Sequence, residues 1–172
     1  MMQELIADTM PGFGQDRPKD GLGFADDRCQ QFMTFTLGDE EFGIDIMMVR
    51  EIKGWSETTT IPNSPVYVLG VINLRGVVVP IFDLRVRFGR AATEASAMHA
   101  IIIVSTDAKT VGLLVDRVSD IVPVPKEAIR AVPEVASPID DNFLEGLVTS
   151  GDRMITLISL PRLLSSRPHA AA

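Results

Sequence analysis

The sequence contains a single cysteine, Cys29, and two histidines, His99 and His169, among its 172 residues. One cysteine cannot form an intrachain disulfide, which is typical of a reducing compartment, and it excludes a thiolate zinc site. Neither histidine lies in a metal-ligand spacing such as His-Glu-x-x-His. The sequence therefore predicts no metal and no cofactor.

Long apolar runs and clustered positive charge are also missing. No run of about 18 apolar residues is present, and residues 1–6 lack the basic start of a signal peptide, so we expect a cytoplasmic protein with no direct membrane insertion. The net charge is −7 and the pI is about 4.8, which argues against nucleic-acid binding because phosphates are bound by clustered lysine and arginine. A single tryptophan and a single tyrosine leave little for base stacking.

Complete catalytic motifs are absent as well. The chain has no Gly-x-x-x-x-Gly-Lys phosphate loop and no Gly-x-Ser-x-Gly nucleophile elbow. Carboxylates are numerous and paired carboxylates can perform acid–base chemistry, but Asp45 and Asp116 hold similar places in two copies of a repeat. Catalytic residues rarely occur in both copies of a repeat, so we predict that the chain is not an enzyme.

The sequence does contain an internal repeat. Residues 43–52 read GIDIMMVREI, and residues 112–121 read GLLVDRVSDI. A repeat within one chain implies two similar structural units, and the seam between two units is a natural place for a partner to bind. The aligned pairs are Gly43 and Gly112, Val49 and Val118, Glu51 and Asp120, and Ile52 and Ile121.

Alternating apolar and polar residues, with turn residues about every eight to twelve positions, predict many short β-strands. Met33, Phe35 and Leu37 share one face of the first of these strands. Gly76 suits a tight turn with positive φ. Pro80 cannot donate a hydrogen bond to a sheet, so we expect its strand to be an edge strand or to carry a bulge.

These elements predict an all-β fold in which two copies of about five strands form two small barrels with short helical turns. Units of about 65 residues would be marginal alone, so we expect them to be fused through shared apolar surface. Residues 1–29 are rich in glycine, aspartate and proline, which predicts a flexible N-terminal tail. The predicted domain spans residues 30–165, with repeat copies starting near residues 31 and 100, and residues 166–172 form a C-terminal tail.

Two features admit two interpretations each. Arg75 lies on a turn between apolar strands, where it either contacts a partner or pairs locally with backbone carbonyls or Asp83. Val49 and Ile52 flank Glu51 in an apolar strip that belongs either to the core or to a contact surface.

Four segments combine into a distinctive pattern. They are Phe42-Gly43-Ile44-Asp45-Ile46-x-x-Val49-x-Glu51-Ile52, then Pro62-x-x-Pro65, then Gly70-Val71-x-Asn73-Leu74-Arg75-Gly76-x-x-x-Pro80-x-x-Asp83-Leu84, then Gly112-x-x-Val115-Asp116-x-Val118-Ser119-Asp120. This pattern closely resembles the CheW family of bacterial chemotaxis coupling proteins, from about residue 31 to residue 164. The resemblance implies two intertwined five-stranded SH3-like β-barrels and no catalysis.

The resemblance also implies a function. Proteins of this family are adaptors that couple the cytoplasmic tips of chemoreceptors, the methyl-accepting chemotaxis proteins, to the regulatory domain of the histidine kinase CheA in membrane-associated arrays. A coupling protein of a non-chemotactic receptor–kinase pathway is the alternative, and a small-ligand-binding β-barrel protein is a more distant one. The implied receptor-binding residues are Ile46, Glu51, Ile52, Arg75, Gly112 and Val118, while Val49 and Gly70 are implied to bind the kinase or the receptor.

Overall fold

The computed structural model describes residues 28–92, 94–107, 109–133 and 143–165. The predicted C-terminal tail and residues 1–27 of the predicted N-terminal tail lie outside these ranges. The described chain forms ten strands, namely β1 (Cys29–Leu37), β2 (Glu40–Asp45), β3 (Val49–Gly54), β4 (Val68–Leu74), β5 (Val77–Asp83), β6 (Ala100–Ser105), β7 (Thr110–Val115), β8 (Arg117–Pro125), β9 (Leu144–Ser150) and β10 (Arg153–Ile158). Short helices α1 (Leu84–Arg87) and α2 (Leu160–Ser165) and 3₁₀ turns at Ile46–Met48 and Lys126–Ala128 complete it.

The strands form two five-stranded sheets that exchange strands between the repeat copies. Barrel 1 has the order β8-β1-β2-β10-β9, and barrel 2 has the order β3-β6-β7-β5-β4. The strands before residue 100 therefore give two strands to barrel 1 and three to barrel 2, and the later strands do the reverse. The predicted fold class, two intertwined five-stranded barrels with short helical turns, is confirmed.

Both barrels are closed in the same way. The segment that follows β3 returns to β4 through a bridge between Thr59 and Val71, and the segment that follows β8 returns to β9 through a bridge between Arg130 and Leu147. Each bridge consists of two backbone hydrogen bonds of 2.8 and 2.9 Å. The chain thus satisfies backbone groups that an open sheet edge would expose.

Apolar side chains form three clusters. The largest, which we call the shared core, lies between the barrels and takes side chains from β1 and β2 of barrel 1 and from β6 and β7 of barrel 2. A smaller cluster fills the inside of each barrel. Met33, Phe35 and Leu37 face the shared core, whereas Phe32, which precedes Met33, faces the inside of barrel 1. Strands buried on both faces have nearly continuous apolar sequences, as β6 does.

β5 as a whole is not the predicted edge strand, because it lies between β7 and β4, and the register shift of the β4–β5 ladder lies between Val68 and Gly70 of β4 and not at Pro80. Pro80 pairs with Val71 of β4, but β5 pairs with β7 only from Ile81 onward. Proline is therefore placed where its strand has a single neighbour, which removes the need for a second set of backbone hydrogen bonds.

Candidate functional site

The 3₁₀ turn Ile46–Met48 connects β2 of barrel 1 to β3 of barrel 2. Asp45 fixes this connection, since one carboxylate oxygen accepts from the Met47 backbone N–H at 2.9 Å and the other accepts from Gln30 Nε2 at 3.0 Å. A side-chain acceptor at this position satisfies a backbone donor that the turn leaves unpaired. As a result Ile46 packs against the shared core while Met47 points outward with 81% of its surface exposed.

Three of the predicted site residues lie at the margin of the shared core, which we call the seam. Ile46 leads into β3, Val49 lies on β3 of barrel 2, and Val118 lies on β8 of barrel 1. All three pack against the shared core and remain only partly buried. The seam therefore carries partly exposed apolar side chains from both barrels.

Ile52 and its repeat partner Ile121 are exposed, at 45% and 53%. The apolar strip that contains Val49 and Ile52 therefore packs against the shared core at its first residue and is exposed at its last. Neither of the two interpretations of the strip holds for its whole length. Val49 and its repeat partner Val118 are both partly buried, and Ile52 and Ile121 are both exposed, so aligned residues of the repeat have similar environments.

Glu51 and Arg75 form an ion pair, with Arg75 Nη1 3.0 Å from Glu51 Oε2. Arg75 and Gly76 are the two central residues of the β4–β5 hairpin, with φ of 53° and 86°, and Asn73 Oδ1 accepts from the Gly76 N–H at 2.8 Å. Positive φ at both positions is the signature of a type I′ turn. The suggested pairing of Arg75 with Asp83 is wrong, because Asp83 is buried and caps α1 by accepting from the backbone N–H of Arg85 at 3.0 Å.

Gly70 and Gly112 are buried, and each provides room for a neighbour. A Cβ on Gly70 would lie 2.4 Å from the carbonyl oxygen of Thr59, at the bridge that closes barrel 2. A Cβ on Gly112 would lie 2.4 Å from Ile81 Cδ1, inside the same barrel. These contacts account for both glycines by packing, and their partner contacts stay predictions.

Sequence reasoning missed one polar cluster around Asp116. Its carboxylate accepts from Arg85 Nε at 3.0 Å and from the Gly38 backbone N–H at 2.7 Å, and His99 Nε2 lies 3.6 Å away. Burial by itself raises the pKa of Asp116, but the hydrogen bonds from Arg85 and Gly38 outweigh it and hold the pKa below its usual value. This cluster ties the β1–β2 turn of barrel 1 to α1 and to the loop before β6.

Two adjacent surface cavities flank the 3₁₀ turn, and Met47 lines both. The smaller, of about 320 Å³, is lined by Cys29, Gln30, Gln31, Asp45, Ile46, Met47 and Lys126. The larger, of about 590 Å³, is lined by Met47, Met48, Arg50, Ser105, Thr106, Asp107, Lys109, Pro161, Leu164 and Ser165. Within the described ranges, no group of three or more histidine, cysteine, aspartate or glutamate side chains is arranged to hold a metal ion, and no helix has the length and apolarity needed to cross a membrane.

Comparison with known proteins gives consistent matches. The profile of the CheW-like domain matches residues 31–167. The chain is 46% identical over 143 residues to the probable chemotaxis protein CheW of Rhizobium etli and 43% identical over 143 residues to the chemotaxis protein CheW of Rhizobium meliloti, in each case covering 83% of this chain and 92% of the relative.

A solved structure agrees with the sequence matches. The crystal structure of the scaffolding protein TtCheW from Thermoanaerobacter tengcongensis superposes with a TM-score of 0.74 at 34% identity, covering 81% of this chain and 94% of that one. The chain therefore belongs to the CheW-like family, whose members are chemotaxis scaffolding proteins and not enzymes.

Proposed function

We propose that this chain is an adaptor that couples chemoreceptors to the histidine kinase CheA. The observation that carries the proposal is the seam at which Ile46, Val49 and Val118, from two barrels, leave apolar surface partly uncovered. An apolar seam flanked by a charged pair fits an amphipathic helix, which places apolar side chains in a slot and polar ones at its rim.

On this proposal the cytoplasmic tip of a receptor lies along the seam. Ile46, Val49 and Val118 contact its apolar face, and Ile52 extends the contact along β3. Glu51 and Arg75 face its polar residues and fix its register, because charged groups at a rim contribute more to specificity than to affinity.

The kinase contact rests on the family likeness. The regulatory domain of CheA resembles the double barrel of this family, so kinase and adaptor barrels pair end to end, and Val49 and Gly70 belong to this contact or to the receptor contact. Individual contacts of this kind are weak, and an array strengthens them by multivalency. The adaptor is accordingly cytoplasmic and recruited to membrane-associated receptor arrays.

Co-sedimentation with receptor-containing membranes tests the receptor contact. We expect Ile52→Ser to weaken binding by about tenfold, because loss of one apolar anchor costs about 1.4 kcal/mol. Val66→Ser is the matched control, since Val66 is also an exposed β-branched apolar residue but lies in the segment between β3 and β4. Equal sedimentation of Ile52→Ser and the natural chain would remove β3 from the receptor contact.

A further inference from the structure

The ladder between β1 and β8 contains a β-bulge. Phe35 of β1 pairs with Val118 of β8. Two residues earlier in β1, Met33 pairs with Ile121, so three steps along β8 match two steps along β1. Two residues of β8 therefore lie opposite a single residue of β1, Thr34. A bulge of this kind leaves the extra residue without its regular partner in the ladder.

The bulge changes the face of β8 on which the apolar side chains lie. Val118, Val122 and Val124 are separated by even numbers of residues, so in a regular strand all three would share one face. In the structure Val118 packs against the shared core, whereas Val122 and Val124 belong to the cluster inside barrel 1. The extra residue of the bulge is therefore what turns Val118 toward the seam.

The hydroxyl of Thr34 replaces the missing ladder hydrogen bonds. It accepts from the Asp120 backbone N–H at 3.1 Å and donates to the Asp120 carbonyl at 3.2 Å. A hydroxyl can donate and accept at the same time, so this one side chain satisfies both backbone groups. Thr34 is completely buried, and a polar side chain in such a position is stable only when it is hydrogen-bonded.

Barrel 2 forms the equivalent bulge without a hydroxyl. Its ladder between β3 and β6 has a register shift between Val49 and Glu51, at the place that the repeat aligns with the bulge of β8. The residue aligned with Thr34 is Ile103, which pairs with Glu51 in the ladder. Within the described strands, Asp120, the repeat partner of Glu51, is in register with no residue of β1 and is held by the Thr34 side chain instead.

We propose that Thr34 is a positioning residue for the seam, because its hydroxyl fixes the bulge of β8 and thereby the direction in which Val118 points. Thr34 is buried and acts only through the backbone of Asp120 and the strand that contains it. Val118 is a predicted receptor contact, so loss of the hydroxyl should also weaken receptor binding; this consequence rests on the proposed function.

NMR of the full-length chain tests this role without any receptor. Thr34→Val keeps the shape of the side chain and removes the hydroxyl, whereas Thr34→Ser keeps the hydroxyl. We expect Thr34→Val to raise the hydrogen-exchange rate of the Asp120 amide by about tenfold, as loss of one hydrogen bond implies, and to shift the Val118 methyl signals. Thr34→Ser should leave both close to those of the natural chain.

Thr36→Val is the matched control, because Thr36 lies two residues farther along the same face of β1, opposite Arg117. It should leave the Asp120 exchange rate and the Val118 signals unchanged. Natural exchange at Asp120 in Thr34→Val, or unmoved Val118 signals, would overturn the proposal. An equal rise at the Ile103 amide of barrel 2 would also overturn it, by showing general destabilisation instead of a local effect.

Co-sedimentation with receptor-containing membranes tests the consequence for binding. We expect Thr34→Val to bind several-fold more weakly than Thr34→Ser, which should bind like the natural chain. Equal binding by the two variants would contradict the link between Thr34 and the receptor contact. If the NMR changes appear and the natural chain binds no receptor, the positioning of Val118 stands and the coupling proposal fails.

Discussion

Arg75 has a backbone conformation that residues other than glycine, asparagine and aspartate seldom adopt. Such a conformation costs about 1–3 kcal/mol. The side chain is 81% exposed and pairs with Glu51, and an ion pair this exposed contributes at most about 1 kcal/mol. Local stability therefore does not account for an arginine at this turn, which supports the assignment of Arg75 to a partner contact.

Replacement of Arg75 by asparagine separates function from stability. Asparagine accepts positive φ and supplies no guanidinium, so we expect the free energy of unfolding to change by less than about 1 kcal/mol while receptor binding weakens. Urea unfolding and membrane co-sedimentation measure the two quantities. Arg153→Asn is the matched control, because Arg153 pairs with Glu41 at 3.2 Å beside the β9–β10 turn of barrel 1.

A large loss of stability in Arg75→Asn would make Arg75 a structural residue. Receptor binding equal to that of the natural chain would remove it from the contact.

Asp116 and Asp83 lie in one cluster and have pKa values shifted in opposite directions. Hydrogen bonds from Arg85 and Gly38 outweigh burial and depress the pKa of Asp116, whereas burial raises the pKa of Asp83 despite its bonds to two backbone N–H groups. A depressed pKa means that the ionised carboxylate stabilises the fold above its unfolded pKa of about 3.9, and that this stability is lost as the pH falls through the folded value.

We therefore predict that Asp116→Asn lowers the free energy of unfolding at pH 7 by about 1.5–3 kcal/mol. The difference from the natural chain should narrow as the pH falls below about 3.9, the unfolded pKa, toward the lower pKa at which the folded carboxylate is protonated. Urea unfolding across a pH series measures this difference in the free energy of unfolding. Asp83→Asn is the contrasting control, because asparagine caps helices nearly as well as aspartate does. Since the pKa of Asp83 is raised, any excess in the free energy of unfolding of the natural chain over Asp83→Asn should grow as the pH falls. A pH-independent difference for Asp116→Asn would contradict this account.

The closing bridges are the elements that turn two sheets into barrels. Gly70, with φ of 150°, admits the Thr59 carbonyl in barrel 2. Gly146 does the same in barrel 1, where a Cβ would lie 2.9 Å from the Arg130 carbonyl oxygen. The repeat has thus preserved a glycine opposite the returning segment in both barrels, as a close backbone approach requires.

Gly70→Ala should destabilise the chain by about 2–4 kcal/mol, because it adds a Cβ against fixed backbone at a strained φ. Gly54→Ala is the matched control, since Gly54 ends β3 and an added Cβ there meets nothing within 4 Å. Urea unfolding compares the two variants. If Gly70→Ala is as stable as Gly54→Ala and still loses partner binding, Gly70 is a contact residue and not a packing residue.

Sequence patterns predicted which side chains share a face of a strand better than they predicted which strands pair with each other. Alternation in β1 placed Met33, Phe35 and Leu37 on one face, and they do share the core between the barrels. Alternation does not specify which strand lies alongside, so the pairing of β1 with β8 did not follow from the residues, and the intertwining came from the family resemblance.

The repeat indicates residues that lie at the seam, but it cannot indicate which distant segments meet. The partner-binding role of the seam stays a prediction. Val49 and Val118 are aligned in the repeat, and both lie at the seam. The cluster of Asp116, Arg85 and His99 draws on three separate segments that only folding brings together. The Glu51–Arg75 pair also joins residues that are distant in sequence, and Asp83, which is nearer to Arg75 in sequence, had been suggested as the partner instead.

The shared core, to which both barrels contribute side chains, holds the whole molecule together. The shared core takes Phe35 and Phe42 from barrel 1 and Ile102 and Leu113 from barrel 2, while each barrel's own cluster is small. Small units bury too little apolar surface to be stable alone. The two barrels should therefore unfold in a single cooperative transition.

Ile155→Ala tests this cooperativity. Ile155 lies in the inner cluster of barrel 1, whereas Trp55, the single tryptophan, packs against that of barrel 2. We expect a loss of about 2–4 kcal/mol that moves the Trp55 fluorescence transition and the far-UV circular dichroism transition together. A Trp55 transition that keeps its natural denaturant midpoint would show that the barrels unfold independently.

The most direct test of the adaptor role is reconstitution of kinase activity with receptor-containing membranes and CheA. The account predicts that CheA autophosphorylation rises as this chain is added, and that Ile52→Ser gives a smaller rise than Val66→Ser at equal concentration. No rise under conditions in which another coupling protein activates the same kinase would contradict it.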